Sequence, residues 1–345
     1  MTSRSIVLVL LSAGLASAVE AGGRFVVPPG AVRLHRPDRA FMQNRTVEFD
    51  LLYDFSVPGE TERLEFRVAV PQTIENRQNI LSVSYSPEPS RIFEENGNRY
   101  AEFLFLTPDR HVNVAMTVKA ELFKYDLLTA RLNRRADYLE DEPFEDFLKH
   151  EKYIEKDHNQ IQQIAEGIEG ETDIDIVKNI YDHVLDNMEY SILSRKDWGA
   201  VKAVQLGKGD CTEYSDLFVA LCRAKGIPAR VASGYTVGFG SASTSTRHNW
   251  AEVYLQEYGW VPFDPTAGDV ENALMRGMAF SNMRPVYIYV SHIRNDPVLR
   301  NYNFGAYRYW GDRITFKDSI EFKHFAPLIS NELSRLWRKT IDKGR

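Results

Sequence analysis

The sequence of 345 residues has little of several features that would identify whole classes of protein. It contains two cysteines, which excludes a small scaffold held together by disulfides, and the lack of a C-x-x-C pair argues against a structural zinc site. The formal net charge is −6, whereas nucleic-acid-binding domains normally carry a basic surplus, so we predict no nucleic-acid partner. No internal repeat and no apolar run of the roughly 18 to 20 residues that a transmembrane helix needs is present.

What the chain does contain is the composition of a folded protein with an export signal. Hydrophobic residues make up 43% and charged residues 26%, and the length suggests two domains. Residues 1–21 have a basic start at Arg4, an apolar run over 6–15 and a small-residue cleavage site at Ala16-Ser17-Ala18. We therefore predict a signal peptide and a periplasmic or extracellular protein, with an uncleaved anchor as the alternative.

Residues 24–128 have the pattern of a β-sandwich-like domain. Short segments rich in valine, phenylalanine, leucine and tyrosine alternate partly with polar residues, which is typical of half-buried strands. Asn96-Gly97 predicts a two-residue hairpin between two of them, because both turn positions need positive φ. The predicted strands are residues 46–55, 62–70, 80–85, 91–93, 100–106 and 112–123.

After this domain the chain becomes charged and helical, and the fold class we predict is α+β. Apolar residues at helical spacing predict one helix around 161–168 and another that begins near Asp173. The predicted divisions are a helical linker at 129–155, a catalytic core at 156–290 and a C-terminal extension at 291–345 that ends in a helix.

Cys211 stands at the start of the next predicted helix. An apolar stripe from Tyr214 to Leu221 predicts this helix, and Gly226 with Pro228 ends it. At a helix N-terminus the unpaired amides and the helix dipole stabilise an anion, so a thiol there loses its proton more readily. Since cysteine chemistry uses the thiolate, we predict that Cys211 is a nucleophile.

Cys222 is predicted to be a small buried hydrophobic residue. It follows Cys211 by eleven residues on the same helix, which is about 16 Å along the axis. A disulfide tolerates Cα separations only up to roughly 7 Å, so the two cysteines cannot pair while the helix exists.

His248 and Asp264 are the candidate partners of the thiol. His248 opens a predicted strand and Asp264 closes the next, so the two strands form a hairpin around residues 255–259. A loop of odd length places both side chains on one face of the sheet, where the carboxylate can orient the imidazole. A loop at 255–257 sets them directly opposite and one at 257–259 offsets them by four residues, and the sequence leaves this register open.

Four sequence blocks resemble the bacterial branch of the transglutaminase-like superfamily. They are Gly-Asp-Cys-Thr-Glu-Tyr from 209, Arg-Ala-Lys-Gly-Ile-Pro-Ala-Arg from 223, His-Asn-Trp-Ala-Glu-Val-Tyr from 248 and Gly-Trp-Val-Pro-Phe-Asp-Pro-Thr from 259. The resemblance covers about residues 150–270 and implies a papain-like α+β core with a Cys-His-Asp triad in that chain order. It also implies that the β-rich region is the sandwich that often precedes this core in exported members. Carried over by position, Cys211 is the nucleophile, His248 the base and Asp264 the orienting acid.

Three further residues are candidates for the site. Gln205 lies six residues before Cys211, the spacing at which papain-like proteases place the glutamine of the oxyanion hole, although a surface glutamine fits the same position. Trp198 is a candidate for covering the acyl site, and Trp250 for lining the substrate site or anchoring the core beside it. The Gly- and Ser-rich segment 238–247 predicts a loop that borders the cleft.

The C-terminal region is less informative. Residues 286–290 and 313–316 predict strands that extend the sheet, and residues 328–341 predict an amphipathic helix. This helix either packs on the protein or makes a peripheral contact with anionic lipid.

The function we predict is exported thiol-dependent acyl transfer, in which Cys211 attacks a peptide or carboxamide carbonyl. Hydrolysis, as in a cysteine peptidase or deamidase, is preferred, and the alternatives are a Gln-Lys cross-linking transglutaminase and a binding module that keeps the fold without turnover. The substrate is then a protein or peptide. Animal members of the superfamily use calcium, but the sequence has no EF-hand-like loop, so we predict no metal and no cofactor. The oligomeric state is left open.

Overall fold

The computed structural model describes residues 44–57, 59–127, 130, 144–191, 197–237 and 245–325. The predicted signal peptide, most of the linker, most of the loop at 238–247 and the predicted terminal helix lie outside these residues. No helix in the described ranges is both long and apolar enough to cross a membrane.

The N-terminal region is rich in strands, as the sequence predicts. Alternation is clearest in the first strand, where Val47, Phe49, Leu51, Tyr53 and Phe55 are buried and the residues between them are more exposed. The hairpin turn at Asn96-Gly97 has positive φ at both positions. The strands are β1 (Asn44–Ser56), β2 (Thr61–Val70), β3 (Gln78–Ser86), β4 (Arg91–Glu95), β5 (Asn98–Leu106), β6 (His111–Phe123) and β7 (Tyr125–Asp126).

Two strands from the C-terminal region complete the sandwich. They are β15 (Gly305–Gly311) and β16 (Thr315–Phe325), and they give two four-stranded sheets with the orders β16-β1-β6-β3 and β15-β2-β5-β4. The prediction that residues 313–316 extend the sheet of the core is therefore wrong. The physical reason is aromatic packing, because the ring of Phe316 lies 4.9 Å from that of Phe55 in β1.

A third four-stranded sheet lies in the predicted core and has the order β12-β11-β10-β14. Residues 286–290 were expected to extend it, and β14 does so by pairing with β10. Its strands are β10 (Ala229–Val237), β11 (Ser245–Leu255), β12 (Gly259–Phe263) and β14 (Tyr287–Ser291). The mixed α/β fold with a strand-rich N-terminal region confirms the predicted fold class.

Helices and short strands surround this sheet. Thr172 caps the second helix, which begins at Asp173 as predicted, and its hydroxyl accepts a hydrogen bond from the Asp175 amide. The helices are α1 (Asn159–Glu166), α2 (Asp173–Asn187), α3 (Ala200–Leu206), α4 (Cys211–Ala224), α5 (Pro265–Gly268) and α6 (Ala273–Ala279). The short strands are β8 (Glu189–Tyr190), β9 (Lys208–Gly209) and β13 (Asn282–Met283).

Helix α4 occupies the centre of the core. Every residue from Glu213 to Arg223 is buried, and the helix packs on β10 and β11 as well as on neighbouring helices. A helix that is buried on all sides is a rigid support. The first turn of α4 therefore holds its side chains in a fixed position relative to the sheet.

Buried polar contacts join the sandwich to the core. The Asn98 amide donates to the Ser291 hydroxyl over 2.7 Å, and the Tyr100 hydroxyl donates to Asp296 over the same distance. His292 packs against the β4–β5 turn, where a Cβ on Gly97 would stand 3.1 Å from its ring. Ser291 is the last residue of β14, and His292 and Asp296 follow it. The end of this core strand and the segment after it therefore form the boundary with the sandwich.

Candidate active site

The first turn of α4 carries Cys211 and is fixed by a capping box. The Asp210 carboxylate accepts from the Thr212 amide over 2.8 Å, and the Glu213 carboxylate accepts from the Asp210 amide over 3.1 Å. A Cβ at Gly209 would overlap the side chain of Glu213, so this position admits only glycine. The Gly-Asp-Cys-Thr-Glu block therefore starts a buried helix directly at the cysteine.

The hairpin of β11 and β12 carries the other two predicted residues. Pairing of Leu255 with Gly259 places the loop at residues 256–258, between the two positions that the sequence left open. In this register Asp264 would stand opposite Trp250, two residues from His248, on the same face of the sheet. Asp264 follows the last residue of β12 and is itself the cap of α5, accepting from the Ala267 amide over 3.2 Å.

His248 lies between the cysteine and the aspartate. Its Nε2 is 2.7 Å from Oδ2 of Asp264, and the Cys211 side chain is near enough to the ring to raise the pKa of His248. Because Nε2 is engaged by the carboxylate, Nδ1 is the nitrogen left for the thiol. The side chain of Asp264 is 4% exposed and that of His248 is 16% exposed, so substrate can reach the imidazole while the carboxylate is shielded from solvent.

His248 and Asp264 shift each other's pKa values. Burial alone would lower the pKa of His248, but the charge of Asp264, its hydrogen bond and the contact with Cys211 raise that pKa to about 10. Burial alone would raise the pKa of Asp264, yet the charge and hydrogen bond of His248 lower it to about 2. The pair is therefore an imidazolium–carboxylate ion pair near neutral pH.

Two hydroxyl groups complete the coordination of Asp264. Tyr287 in β14 donates to Oδ2 over 2.7 Å, and Thr266 in α5 donates to Oδ1 over 2.6 Å. With the Ala267 amide and His248, the carboxylate has four hydrogen-bonding partners. Such a carboxylate is held in one orientation, and so is the imidazole that it binds.

Asn249 connects the histidine strand to the cysteine helix. Its amide donates to the Thr212 hydroxyl over 3.0 Å, and its carbonyl accepts from the Ser233 hydroxyl over 2.8 Å. The residue is 6% exposed. It ties β11 to the residue next to Cys211 and so sets the distance between the two functional side chains.

An aromatic layer lies behind His248. Trp250 is fully buried, its ring is 6.0 Å from the His248 ring, and it packs edge-on against Tyr287 and Tyr289. The prediction that Trp250 lines the substrate site is corrected by its burial, because a side chain with no exposed surface cannot contact substrate. Its role is the alternative one, an anchor in the core.

The structure does not bring Gln205 to the thiol. Gln205 is exposed near the end of α3, and its amide nitrogen lies 3.2 Å from the amide oxygen of Gln160 in α1. The predicted oxyanion role is thus corrected, since the donor is engaged on the outer surface. The reason is local: residues 200–206 form a helix instead of a loop, and this helix turns position 205 outward.

Trp198 lies at the edge of the site. Its backbone amide donates to Glu213 over 3.0 Å, and its side chain is half-buried. Glu213 thus fixes both the start of α4 and the segment before α3. Cys222, by contrast, is fully buried on α4, and burial raises the pKa of its thiol.

Sequence reasoning missed Tyr287, Thr266 and Asn249. Asn249 and Thr266 stand inside the motif blocks, next to predicted residues, and their polarity beside buried positions was an available signal. Tyr287 has no such signal, because it belongs to a strand of ordinary apolar composition and reaches Asp264 only through the pairing of β14 with β10.

Comparison with known proteins gives the same assignment of the core. Residues 162–265 match the sequence model for the core domain of the transglutaminase-like superfamily, and the match spans Cys211, His248 and Asp264. A crystal structure of a candidate cysteine protease from Cytophaga hutchinsonii aligns with a TM-score of 0.53 and 19% identity, over 82% of this chain and 93% of that chain. At that identity the likeness shows the fold.

Two sequence relatives differ in how much they share. An uncharacterized protein of Haemophilus influenzae is 26% identical over 333 residues, covering 80% of this chain and 89% of that protein. Kyphoscoliosis peptidase of Homo sapiens is 34% identical over 110 residues, which cover 29% of this chain and only 16% of the human protein.

Proposed function

We propose that this chain, a member of the transglutaminase-like superfamily through residues 162–265, is an exported thiol acyl-transfer enzyme that hydrolyses peptide or carboxamide bonds. The observation that carries the proposal is the position of His248, whose Nε2 lies 2.7 Å from the Asp264 carboxylate and whose pKa the neighbouring Cys211 side chain helps to raise. A binding module has no need of a cysteine, an imidazolium and a shielded carboxylate in one line.

In the acylation step, the Cys211 sulfur attacks the substrate carbonyl carbon and its proton resides on His248. The carbonyl oxygen becomes an oxyanion, and collapse of this tetrahedral intermediate breaks the C–N bond. His248 gives its proton to the departing nitrogen, which leaves as an amine or as ammonia, and a thioester remains on Cys211. Asp264 keeps the imidazole oriented and stabilises its charged form throughout.

In the second step, water attacks the thioester while His248 accepts a proton. The carboxylic acid product and the free thiol are released, so the atoms balance with water as the only co-reactant. Hydrolysis is preferred over transfer to a lysine amine because one sequence relative, kyphoscoliosis peptidase, carries the name of a peptidase. A cross-linking enzyme would differ only in this step.

Export is part of the proposal. It rests on residues 1–21, whose basic start, apolar run and small-residue cleavage site are typical of a signal peptide. Fractionation of cells that express the full chain tests it, with the protein expected outside the cytoplasm and shortened near residue 18 or 21.

The chemistry is tested by labelling with iodoacetamide near neutral pH, because the two cysteines form an internal comparison. Cys211 is expected to react faster than a free thiol, whereas Cys222 is expected to stay unlabelled until the protein unfolds. A proteomic comparison of exported proteins from cells with the parent chain and with Cys211→Ala then identifies substrates. Equal labelling of Cys211 and a free thiol, together with an unchanged proteome, would overturn the proposal.

The same proteome separates hydrolysis from cross-linking. Cleaved or deamidated proteins that depend on Cys211 support hydrolysis, whereas Cys211-dependent Gln-Lys isopeptides would replace it with transamidation.

A further inference from the structure

Helix α6 exposes the apolar side chains that a helix of a folded protein normally buries. Leu274 is 65% exposed, Met275 43% and Met278 41%, and Val270, just before the helix, is 38% exposed. No residue of α6 is buried. Met278 follows Leu274 by four residues and Met275 by three, so the three side chains lie on one face of the helix. We call Val270, Leu274, Met275 and Met278 the apolar patch.

Contacts other than the apolar patch attach α6 to the core. Asn272 caps the helix by accepting from a backbone amide of its first turn over 3.0 Å. Arg276 forms an ion pair with Asp186 near the end of α2, and the ring of Phe280, directly after α6, lies 5.3 Å from the ring of Tyr181 in α2. Since a helix of seven residues is not stable in water by itself, these contacts hold it in place. Its apolar face stays exposed among the described residues.

The apolar patch adjoins the candidate active site. Helix α5 begins directly after Asp264, and Asp269 follows this helix, next to Val270. The Asp269 carboxylate accepts over 2.7 Å from the hydroxyl of Tyr214, which lies three residues after Cys211 on α4. The segment that leads to the patch is therefore bonded to the first turn of the nucleophile helix. An extended peptide advances about 3.3 Å per residue, so a substrate held at Cys211 can reach the patch with its neighbouring residues.

The charges beside the apolar patch favour a polypeptide over a membrane as its partner. The segment 269–278 carries Asp269, Glu271 and Arg276, and this arginine is paired with Asp186. The surroundings are thus acidic, and they would repel the headgroups of an anionic membrane. The two methionines of the patch are flexible and polarizable, so they can pack against apolar side chains of different shapes.

We propose that the apolar patch binds an apolar segment of the polypeptide on which Cys211 acts. The substrate class is then a protein that presents several apolar side chains close to the reacting residue. Folded proteins bury most such side chains, so an unfolded or flexible region of a protein fits this surface. The patch adds affinity, and the chemistry remains that of Cys211 and His248. This inference rests on the proposed function, whose substrate it specifies.

The test attaches the electrophile to a peptide, so that binding at the patch is read from the rate at which Cys211 is alkylated. An iodoacetyl group is placed at the N-terminus of one peptide and on a C-terminal lysine of another, so the chain extends from the thiol in either direction. Each peptide is made with a leucine segment and, for comparison, with a serine segment of the same length. Iodoacetamide, which carries no peptide, reports the reactivity of the thiol alone.

Two double variants provide the comparison. Leu274→Gln with Met278→Gln removes apolar surface from the patch and keeps side chains that are compatible with a helix. Leu104→Gln with Leu106→Gln is the matched control, because these leucines of β5 in the sandwich are 41% and 70% exposed. Both variants change only exposed side chains, so their urea unfolding curves should coincide with that of the parent protein.

In the parent protein we expect the leucine peptide of at least one pair to alkylate Cys211 about tenfold or more faster than its serine counterpart, since burial of even one leucine side chain is worth that factor. The patch variant should reduce this preference to less than about threefold, while its rate with iodoacetamide changes by less than about twofold. The control variant should keep the preference of the parent protein.

If the parent protein has no preference for leucine, or if the patch variant keeps that preference, the docking role is overturned and the proposed function stands. A patch variant that keeps the preference but unfolds at lower urea would mean that another part of this chain covers the patch. Binding to phosphatidylglycerol vesicles that the patch variant loses, without a leucine preference in the parent protein, would replace the peptide with a membrane.

The proposed function fails separately, in an assay that does not involve the patch. Acylation by the small ester 4-nitrophenyl acetate is followed as a burst of nitrophenolate. A parent protein without a burst that depends on Cys211 would contradict the proposed function itself.

Discussion

His248 and His292 lie in two different regions of the molecule, and their pKa values are shifted in opposite directions. His248 lies in the candidate active site beside Asp264, and its pKa is raised to about 10. His292 lies at the boundary of sandwich and core, where burial and the charge of Arg230 lower its pKa to about 4, although Glu252 opposes the shift. Burial lowers the pKa at both sites, so the neighbouring charge decides which histidine is protonated at neutral pH.

The comparison separates a group kept charged for chemistry from a group kept neutral for packing. At the site, a carboxylate with four hydrogen-bonding partners faces the imidazole. At the boundary, the imidazole fits against Gly97 of a hairpin turn, and burial together with the charge of Arg230 disfavours its protonation. Four predictions would break or sharpen this contrast.

The largest effect is expected from Asp264→Asn. The amide cannot stabilise the imidazolium and favours another orientation of His248, so acylation by 4-nitrophenyl acetate should fall about 10²- to 10⁴-fold. Asp269→Asn is the control, because Asp269 accepts from Tyr214 and does not contact His248. Similar losses in both variants would show that the effect is not specific to the imidazole partner.

The second effect is a loss of stability at alkaline pH. Since the folded pKa of His248 lies above the ordinary value of about 6.5, its contribution is complete below pH 6.5 and is lost as the pH rises toward 10. The free energy of unfolding from urea titrations should fall by about 2 kcal/mol more over this window in the parent protein than in His248→Gln. The exposed His150→Gln serves as control, and parallel curves for all three proteins would contradict the prediction.

The third effect has the opposite sign and belongs to His292. Its folded pKa lies below the ordinary value, so the unfolded chain binds the proton more tightly and stability declines as the pH falls from about 6.5 to about 4. His292→Gln should flatten this acid limb by about 1 kcal/mol in urea titrations and leave the alkaline limb unchanged. A variant with the same acid limb as the parent protein would refute the assignment.

The smallest effect is expected from Tyr287→Phe. Asp264 loses one of its hydrogen bonds but keeps His248, so acylation should slow only about three- to tenfold. Tyr289→Phe is the matched control on the same strand, because that ring packs on Trp250 without contacting Asp264. Equal rates in the two variants would mean that Tyr287 acts through packing alone.

Much of the fold is predictable because it is encoded locally. The strands of the N-terminal region and the turn at Asn96-Gly97 follow from alternation and turn chemistry, and α4 follows from its apolar stripe and from Gly226 and Pro228, which end it. The resemblance of the motif blocks predicts the order Cys211, His248 and Asp264, and in the structure Nε2 of His248 lies 2.7 Å from the carboxylate of Asp264.

What the sequence could not reveal depends on pairing between distant segments. β16 lies beside β1 because of aromatic packing, which the local periodicity of the sequence does not indicate. The register of the β11–β12 hairpin changes when the loop shifts by a single residue, and the sequence does not fix the position of the loop. Gln205 was misplaced because spacing from Cys211 says nothing about which face of α3 it occupies. Tyr287 reaches Asp264 only through the pairing of β14 with β10.

The return of β15 and β16 to the sandwich makes the order of synthesis matter. Leu51 pairs with Ile320, and Phe66 pairs with Tyr307, so both outer edges wait for the last part of the described chain to leave the ribosome. Until then β1 and β2 present open hydrogen-bonding edges, which are the surfaces on which chains associate wrongly. The core is thus encoded between the two halves of the sandwich and can finish folding first. The sandwich, although it is encoded first, closes last.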